Sequence, residues 1–369
     1  MKKLIFILFI FISCAQSDDT INTPKNIDYS VTNIHKTDYV PWSIEFIDNE
    51  TIIYSERRGK MFIIKDGDRD AIELTGLPDV FNKNQGGLLD IELHPDFLNN
   101  KKIFFSYSIK NEDGKSNTAI ASAILEKNNL KDLNVLYQGK EMTTKSLHFG
   151  SRLQFDNNGY LYFTIGDRGN RDNNPQDIKR DGGKVYRINE DGSIPEDNPF
   201  IEIKGARTAI FSFGHRNPQG MFKHPLNGQI WTNEHGPRGG DEINIISVGK
   251  NYGWPKITYG INYSGTTITN DKSLPGMEQP LYKWVPSIAP SGFEYLNSDL
   301  YENWNGSLLV GSLKFMYLER LVLNKDNIVT YREKVAENVG RVRDVKLSPD
   351  GYIYLAVDNK GIFKIIPNQ

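Results

Sequence analysis

Phe155-Asp156-Asn157-Asn158-Gly159-Tyr160-Leu161-Tyr162 is a strand end, a polar turn and a second strand start, and the chain repeats it. Copies stand at Ile47-Asp48-Asn49-Glu50-Thr51-Ile52-Ile53-Tyr54, at His224-Pro225-Leu226-Asn227-Gly228-Gln229-Ile230-Trp231 and at Ser348-Pro349-Asp350-Gly351-Tyr352-Ile353-Tyr354. Several copies lead into a further alternating run opened by glycine: Gly59 to Ile64, Gly183 to Ile188 and Gly361 to Ile366. Asp, Asn and Gly supply hairpin-turn chemistry, and period-two alternation of apolar residues marks strands. Helical periodicity is nearly absent. A hairpin unit recurring at irregular spacing predicts an all-β fold, a β-propeller. Roughly 330 residues of repeat, at about 50 to 60 per four-stranded blade with long loops, give about six blades, with seven the near alternative. Similar hairpins at both ends of the chain fit ring closure better than a pair of β-sandwiches.

The composition is that of a globular protein with a substantial core: 369 residues, 44 basic and 46 acidic, for a formal net charge of −2. This balance argues against a nucleic-acid binder working through bulk electrostatics, so any anion site must be built from a few placed cations. Lys2-Lys3 precede an apolar run, Leu4 to Ile12, that is too short to span a bilayer, which takes ~20 residues. It reads as a signal-peptide core over residues 1–13. Cys14, the one cysteine, follows Phe11-Ile12-Ser13 as in a bacterial lipobox, predicting lipid attachment there and a protein held at the bacterial cell envelope by that lipid alone. Residues 14–37 are expected to form the lipidated cysteine and a flexible tether, polar from Ala15 to Asp28, and residues 38–369 the propeller. With a single cysteine, no disulfide can form within the chain.

Chemistry-bearing residues cluster where strand-like runs end in glycine-rich turns: His148-Phe149-Gly150-Ser151-Arg152-Leu153, Thr164-Ile165-Gly166-Asp167-Arg168-Gly169 and Gly214-His215-Arg216-Asn217-Pro218-Gln219-Gly220. They offer a base, an acid to orient it and an Arg-Asn pair. Together with Gln85 to Phe97, Glu234-His235-Gly236-Pro237, Asp241-Glu242-Ile243-Asn244, Asn251-Tyr252-Gly253-Trp254-Pro255 and Gly340-Arg341-Val342-Arg343-Asp344-Val345, they resemble, in order, the motif series of the soluble pyrroloquinoline quinone (PQQ) dependent sugar dehydrogenases, the glucose/sorbosone dehydrogenase family of six-bladed propellers. The likeness runs from about residue 38 to the C-terminus.

The resemblance implies oxidation of an aldose at its anomeric hydroxyl to the lactone, by hydride transfer to PQQ with Ca²⁺ bound beside it. It implies His148 as base with Asp167 on its other ring nitrogen, and Arg216 and Asn217 over the quinone oxygens, where charge develops. Gln85, Lys314, Arg341 and Arg343 would hold the cofactor. Arg341 and Arg343 share one face of a strand, suited to clamping carboxylates. Carbonyls of Gly236 and Pro237 would bind the quinone-side Ca²⁺, and Glu242 with the Tyr252 carbonyl a second ion. The partners implied are a small sugar and a separate electron acceptor, since no haem-binding Cys-x-x-Cys-His is present.

Other features read as structural. Asp66-Gly67-Asp68-Arg69-Asp70 begins like a Ca²⁺ loop, but Ala71 stands where Gly is required, so a hairpin turn is expected. His94 and His224 are expected to stabilise turns, and His235 borders the cofactor motif. In Trp284-Val285-Pro286-Ser287-Ile288-Ala289-Pro290-Ser291 the family's flanking aromatic is displaced by one, with Val285 in its place, which leaves the sugar open. Two alternatives stay open: a non-enzymatic propeller binding carbohydrate or protein, and a metal-dependent lactonase with a central carboxylate/Asn cage.

Overall fold

The computed structural model describes residues 27–65 and 70–368. The expected signal core, Cys14 and the tether as far as Asn26 lie outside these residues, as does most of the Asp66–Asp70 turn.

Six four-stranded antiparallel sheets make a six-bladed β-propeller. The first five blades are contiguous in sequence. They comprise Pro41–Phe46, Thr51–Glu56, Lys60–Lys65 and Ile72–Glu73; Leu88–Leu93, Lys102–Lys110, Ser116–Glu126 and Asn129–Gln138; Leu153–Phe155, Leu161–Ile165, Lys184–Ile188 and Ile210–Phe213; Pro218–Lys223, Ile230–Glu234, Asp241–Ile245 and Tyr282–Trp284; and Pro290–Tyr295, Ser307–Ser312, Tyr317–Leu323 and Val329–Val335. The sixth takes Val342–Leu347, Ile353–Val357 and Gly361–Pro367 from the C-terminal end, and Tyr29–His35 closes it as the outer strand. The tether expected over residues 14–37 is thus corrected: residues 29–35 belong to the ring. As an edge strand, paired on one side and alternating exposed with half-buried positions, this segment carries no strong apolar signal.

The repeated turns work through side-chain acceptors. Asp156 Oδ1 accepts the N–H groups of Asn158 and Tyr160 at 2.8 and 3.0 Å, and Asp48 Oδ1 those of Glu50 and Thr51 at 2.9 and 2.7 Å. Gly159, at φ +82°, completes the first of these turns.

Between each pair of neighbouring blades lies one apolar cluster. Strand alternation divides side chains between two neighbours: Ile53 packs toward the second blade, while Ile52 and Tyr54 pack toward the sixth. Both faces are therefore buried, each large side chain contributing about 1.5–3 kcal/mol.

The first strand of each blade borders the axis, and these innermost strands touch one another round the ring. In five of the six, pairing with the second strand shifts register near the N-terminal end. Such bulges turn side chains out of the pleat, and here they open one end of the ring. Arg152 locks the centre from the third blade. Its guanidinium bonds Asp90 at 2.9 Å and Asp344 at 2.8 Å, donates to the Gln219 carbonyl at 2.6 Å and lies 4.3 Å from the Trp42 ring centre, reaching four other blades.

Candidate active site

At the bulged end, the turn leading into Leu153–Phe155 carries His148 at φ +53°, Gly150 at +62° and Ser151 at +92°. A left-handed backbone is uncommon outside glycine, and here it turns the imidazole into a cavity of about 280 Å³. The Gln85 side-chain carbonyl accepts the His148 N–H at 2.7 Å. Gly166 packs beneath: a Cβ there would stand 2.4 Å from the His148 carbonyl oxygen and 2.7 Å from Asn217 Oδ1.

Asp167, buried, receives the imidazole at Nδ1, 2.7 Å from Oδ1, and accepts the Trp254 indole N–H on Oδ2 at 2.9 Å. Although burial opposes ionisation, its bond to His148 holds the Asp167 carboxyl below the usual range. Burial and the Arg216 charge together outweigh Asp167 and lower the His148 pKa below its ordinary 6.5. At neutral pH the pair is therefore a carboxylate accepting from Nδ1–H, which leaves Nε2 as an unprotonated base.

Arg216 and Asn217 come from the turn before Pro218–Lys223. The Arg216 N–H donates to Glu234 at 2.6 Å, its guanidinium donates to the His235 carbonyl at 3.0 Å, and its own carbonyl accepts the Asp167 N–H at 2.7 Å. Asn217 Oδ1 accepts the Gly150 N–H at 3.0 Å. Adjacent residues thus serve two adjoining spaces. His148, Asp167, Arg216, Pro237 and Trp254 line the first cavity; Gln85, Phe149, Asn217, His235, Arg341 and Arg343 line the second.

The second cavity is cationic. Arg343 donates from Nε and one terminal nitrogen to the two oxygens of Asp358 at 3.2 and 3.1 Å, and Arg341 Nε reaches the same carboxylate at 3.0 Å. These guanidiniums, against the pull of burial, hold Asp358 below the usual carboxylate range. Arg57 lines the same cavity, its pKa lowered by burial and by the neighbouring Arg343 charge. Burial, with Arg216 and Arg343 nearby, brings His235 down to about 3, and its Nε2 is buried without a partner. Three guanidiniums against one carboxylate, with an unsatisfied imidazole nitrogen, suit a polycarboxylate.

Gly236, Glu242 and Tyr252 border a smaller cavity with Glu234. Burial, then the Glu234 charge, pushes Glu242 up to about 8. Pro237 lies at the mouth of the first cavity, its carbonyl accepting the Ser287 hydroxyl at 3.0 Å. Among the described residues no three or more His, Cys, Asp or Glu side chains are grouped to hold a metal.

Of the residues expected from sequence, Lys314 stands apart. It is exposed, with its ammonium 4.8 Å from the Phe315 ring centre, and is not among the residues lining either cavity. Trp284 is buried, its indole N–H bonded to Glu319 at 2.7 Å, while Val285 is exposed beside a separate surface cavity with Phe315 and Tyr317. His94 and His224 accept turn N–H groups from Asp96 and Leu226 at 2.9 and 3.3 Å, as expected of turn residues. Sequence reasoning missed Trp254, Asp358 and Arg57 as site residues. Trp254 stands within a quoted motif, but its bond to Asp167 joins positions 87 apart.

A sequence profile of the glucose/sorbosone dehydrogenase family matches residues 38–364. Aldose sugar dehydrogenase YliI of Escherichia coli is 40% identical over 336 residues, 89% of this chain and 90% of that protein. Quinoprotein glucose dehydrogenase B of Acinetobacter calcoaceticus is 27% identical over 419 residues, 91% and 86% of the two chains. The crystal structure of the soluble E. coli aldose sugar dehydrogenase in its apo form superposes with a TM-score of 0.87 at 37% identity, covering 92% of this chain and 100% of that one.

Proposed function

The chain belongs to the glucose/sorbosone dehydrogenase family, oxidoreductases acting on sugars, and from that premise we propose that it oxidises an aldose at the anomeric hydroxyl to the lactone, with His148 as general base and PQQ and Ca²⁺ as cofactors. The observation that carries the reading is the pair of buried Asp167 and partly exposed His148 at the cavity wall, 2.7 Å apart, with Nε2 left for a substrate hydroxyl. Trp254 and the Arg216 carbonyl fix Asp167, and Gln85 fixes the His148 backbone, so the base is oriented before substrate arrives.

PQQ carries three carboxylates, and the cavity of Arg57, Arg341 and Arg343 fits it in charge; Gln85, Asn217 and His235 would add polar contacts. When bound, PQQ would supply the hydride acceptor, and Ca²⁺ on the Gly236 and Pro237 carbonyls the Lewis acid. The Arg216 guanidinium, which lines the first cavity with His148, supplies positive charge beside the base. Glu242 with the Tyr252 carbonyl would hold a second Ca²⁺: this oxygen-only set suits a hard cation, which would relieve the repulsion between Glu242 and Glu234. Electrons would pass on to a separate acceptor. Residues Lys2 to Cys14 support lipid attachment at the cell envelope, tested by whether labelled fatty acid incorporated by the wild type is lost in Cys14→Ser.

The deciding experiment reconstitutes the protein with PQQ and Ca²⁺ and follows dye reduction across a panel of aldoses. Turnover should need both cofactors and fall about 1,000-fold in His148→Ala, with PQQ binding retained. Because the folded-state pKa of His148 is lowered, kcat/KM should hold through neutral pH and decline only below about 6.5. Absence of PQQ binding would overturn the enzymatic reading in favour of a sugar- or protein-binding propeller.

A further inference from the structure

Arg168 is wholly buried, is hydrogen-bonded to no carboxylate among the described residues, feels the charge of its chain neighbour Asp167, and takes no part in the chemistry above. Its guanidinium donates to the Leu147 carbonyl, to the Lys145 carbonyl at 3.1 Å, and to the Ser116 carbonyl and hydroxyl at 3.3 and 3.2 Å. The Phe149 ring centre lies 3.5 Å from its central carbon. One side chain thus grips the loop on both sides of His148. The preceding residue, Asp167, grips the imidazole itself. Burial disfavours its charge, which the neighbouring Asp167 carboxylate offsets only in part, and brings the Arg168 pKa down to about 9, a cost that a neutral loop anchor would not incur.

We propose that Arg168 is a positioning residue of the reaction, fastening the Lys145–Phe149 loop in the left-handed turn that presents His148 to the cavity. The inference rests on the reading of His148 as base. The groups facing that imidazole are Asp167, which favours its protonation, and Arg216 and Arg168, which oppose it; Lys145 shares the cavity, and His235 lies close by. The Lys145 ammonium is turned onto the Gly169 carbonyl.

The test compares Arg168→Met, Arg168→Lys and His148→Ala in the full chain reconstituted with PQQ and Ca²⁺. A second readout is the titration of the His148 ring signal by NMR with ¹³C-labelled histidine, identified by its loss in His148→Ala. Arg168→Met should lower kcat by about 10- to 100-fold, the scale of a small misplacement of a reacting group, with sugar KM and PQQ affinity within about 3-fold of wild type. It should also move both the acid limb of kcat/KM and the ring titration to higher pH. Arg168→Lys keeps the charge but cannot bridge the carbonyls and stack on Phe149, so it should restore the titration more fully than kcat. Wild-type kcat together with an unmoved titration in folded Arg168→Met overturns the proposal. Should that variant fail to fold, wild-type kcat in Arg168→Lys overturns it. Wild-type turnover in His148→Ala would remove the premise about the base, and the ring titration would then decide by itself whether Arg168 acts on this loop.

Discussion

The two ends of the propeller axis are built from the same innermost strands and have opposite electrostatics. At the bulged end, Arg341 and Arg343 share one carboxylate, Asp358, with Arg57 close by, and Arg343 and Arg216 both act on His235. Toward the other end, Glu45, Glu92 and Glu294, from the C-terminal parts of the first, second and fifth innermost strands, surround the ammonium of Lys346 from the sixth. Lys346 bonds Glu45 directly, and its pKa is raised well above the ordinary value: burial opposes the charge, but the surrounding carboxylates outweigh it. Burial above all pushes Glu92 up to about 8 and Glu294 to about 7. One end keeps positive charge in excess of its carboxylates. The other shares a few protons so that carboxylates can pack side by side. The contrast separates polar burial that serves binding from polar burial that serves cohesion, and a formal charge of −2 for the whole chain hides both.

Breaking the acidic end should have the largest effect on the fold. Lys346→Met leaves three clustered glutamates, one buried and two partly buried, without their cation and should cost about 3 kcal/mol at pH 8. The loss should shrink toward pH 5 as the glutamates take up protons; urea denaturation of both proteins at the two pH values reads this out. An equal loss at both would mean that the ammonium is not neutralising charge. Breaking the cationic end should instead act on binding. Arg343→Gln should weaken PQQ about 100-fold, close to 3 kcal/mol, in an equilibrium titration. Unchanged affinity would show that the anion is held elsewhere. The smallest effect sharpens the contrast. Because Glu92 has a raised pKa when folded, its contribution is fully present below the unfolded value near 4.5 and is lost as pH rises through about 8. Glu92→Gln should flatten that decline by on the order of 1 kcal/mol in stability measured between pH 5 and pH 8.

How much of this could be read in advance follows from how local each signal is. The Asp-Asn-Gly turns close bonds two to four residues away, such as Asp156 to Asn158 and Tyr160, and so they mark the blades in the sequence itself. His148, Asp167, Arg216, Asn217 and Gln85 sit in recognisable turn segments, and the structure brings them to the same end of the ring. Asp358 and Trp254 take their roles from partners on other strands and other blades, a relation with no local pattern. Glu45, Glu92 and Lys346 on alternating strands read as solvent-facing positions; only closure of the ring turns that face inward. Tyr29–His35 was hidden for the converse reason, since an outer strand packs too little to carry a strong apolar rhythm.

That outer strand also sets a condition on how the molecule is made. Asn33 donates to the Lys360 carbonyl at 3.0 Å, across 327 positions of sequence. During synthesis the strand Tyr29–His35 has no pairing partner until Gly361–Pro367 has been made. Loop-closure entropy grows only slowly with length, so the finished ring loses little by the arrangement, whereas its kinetics carry the burden of a very distant pairing. The seam is consequently where a nascent or partly opened chain exposes an unpaired edge, and a circular permutant that joins the two termini there and opens in a turn between two other blades should assemble faster than the natural order.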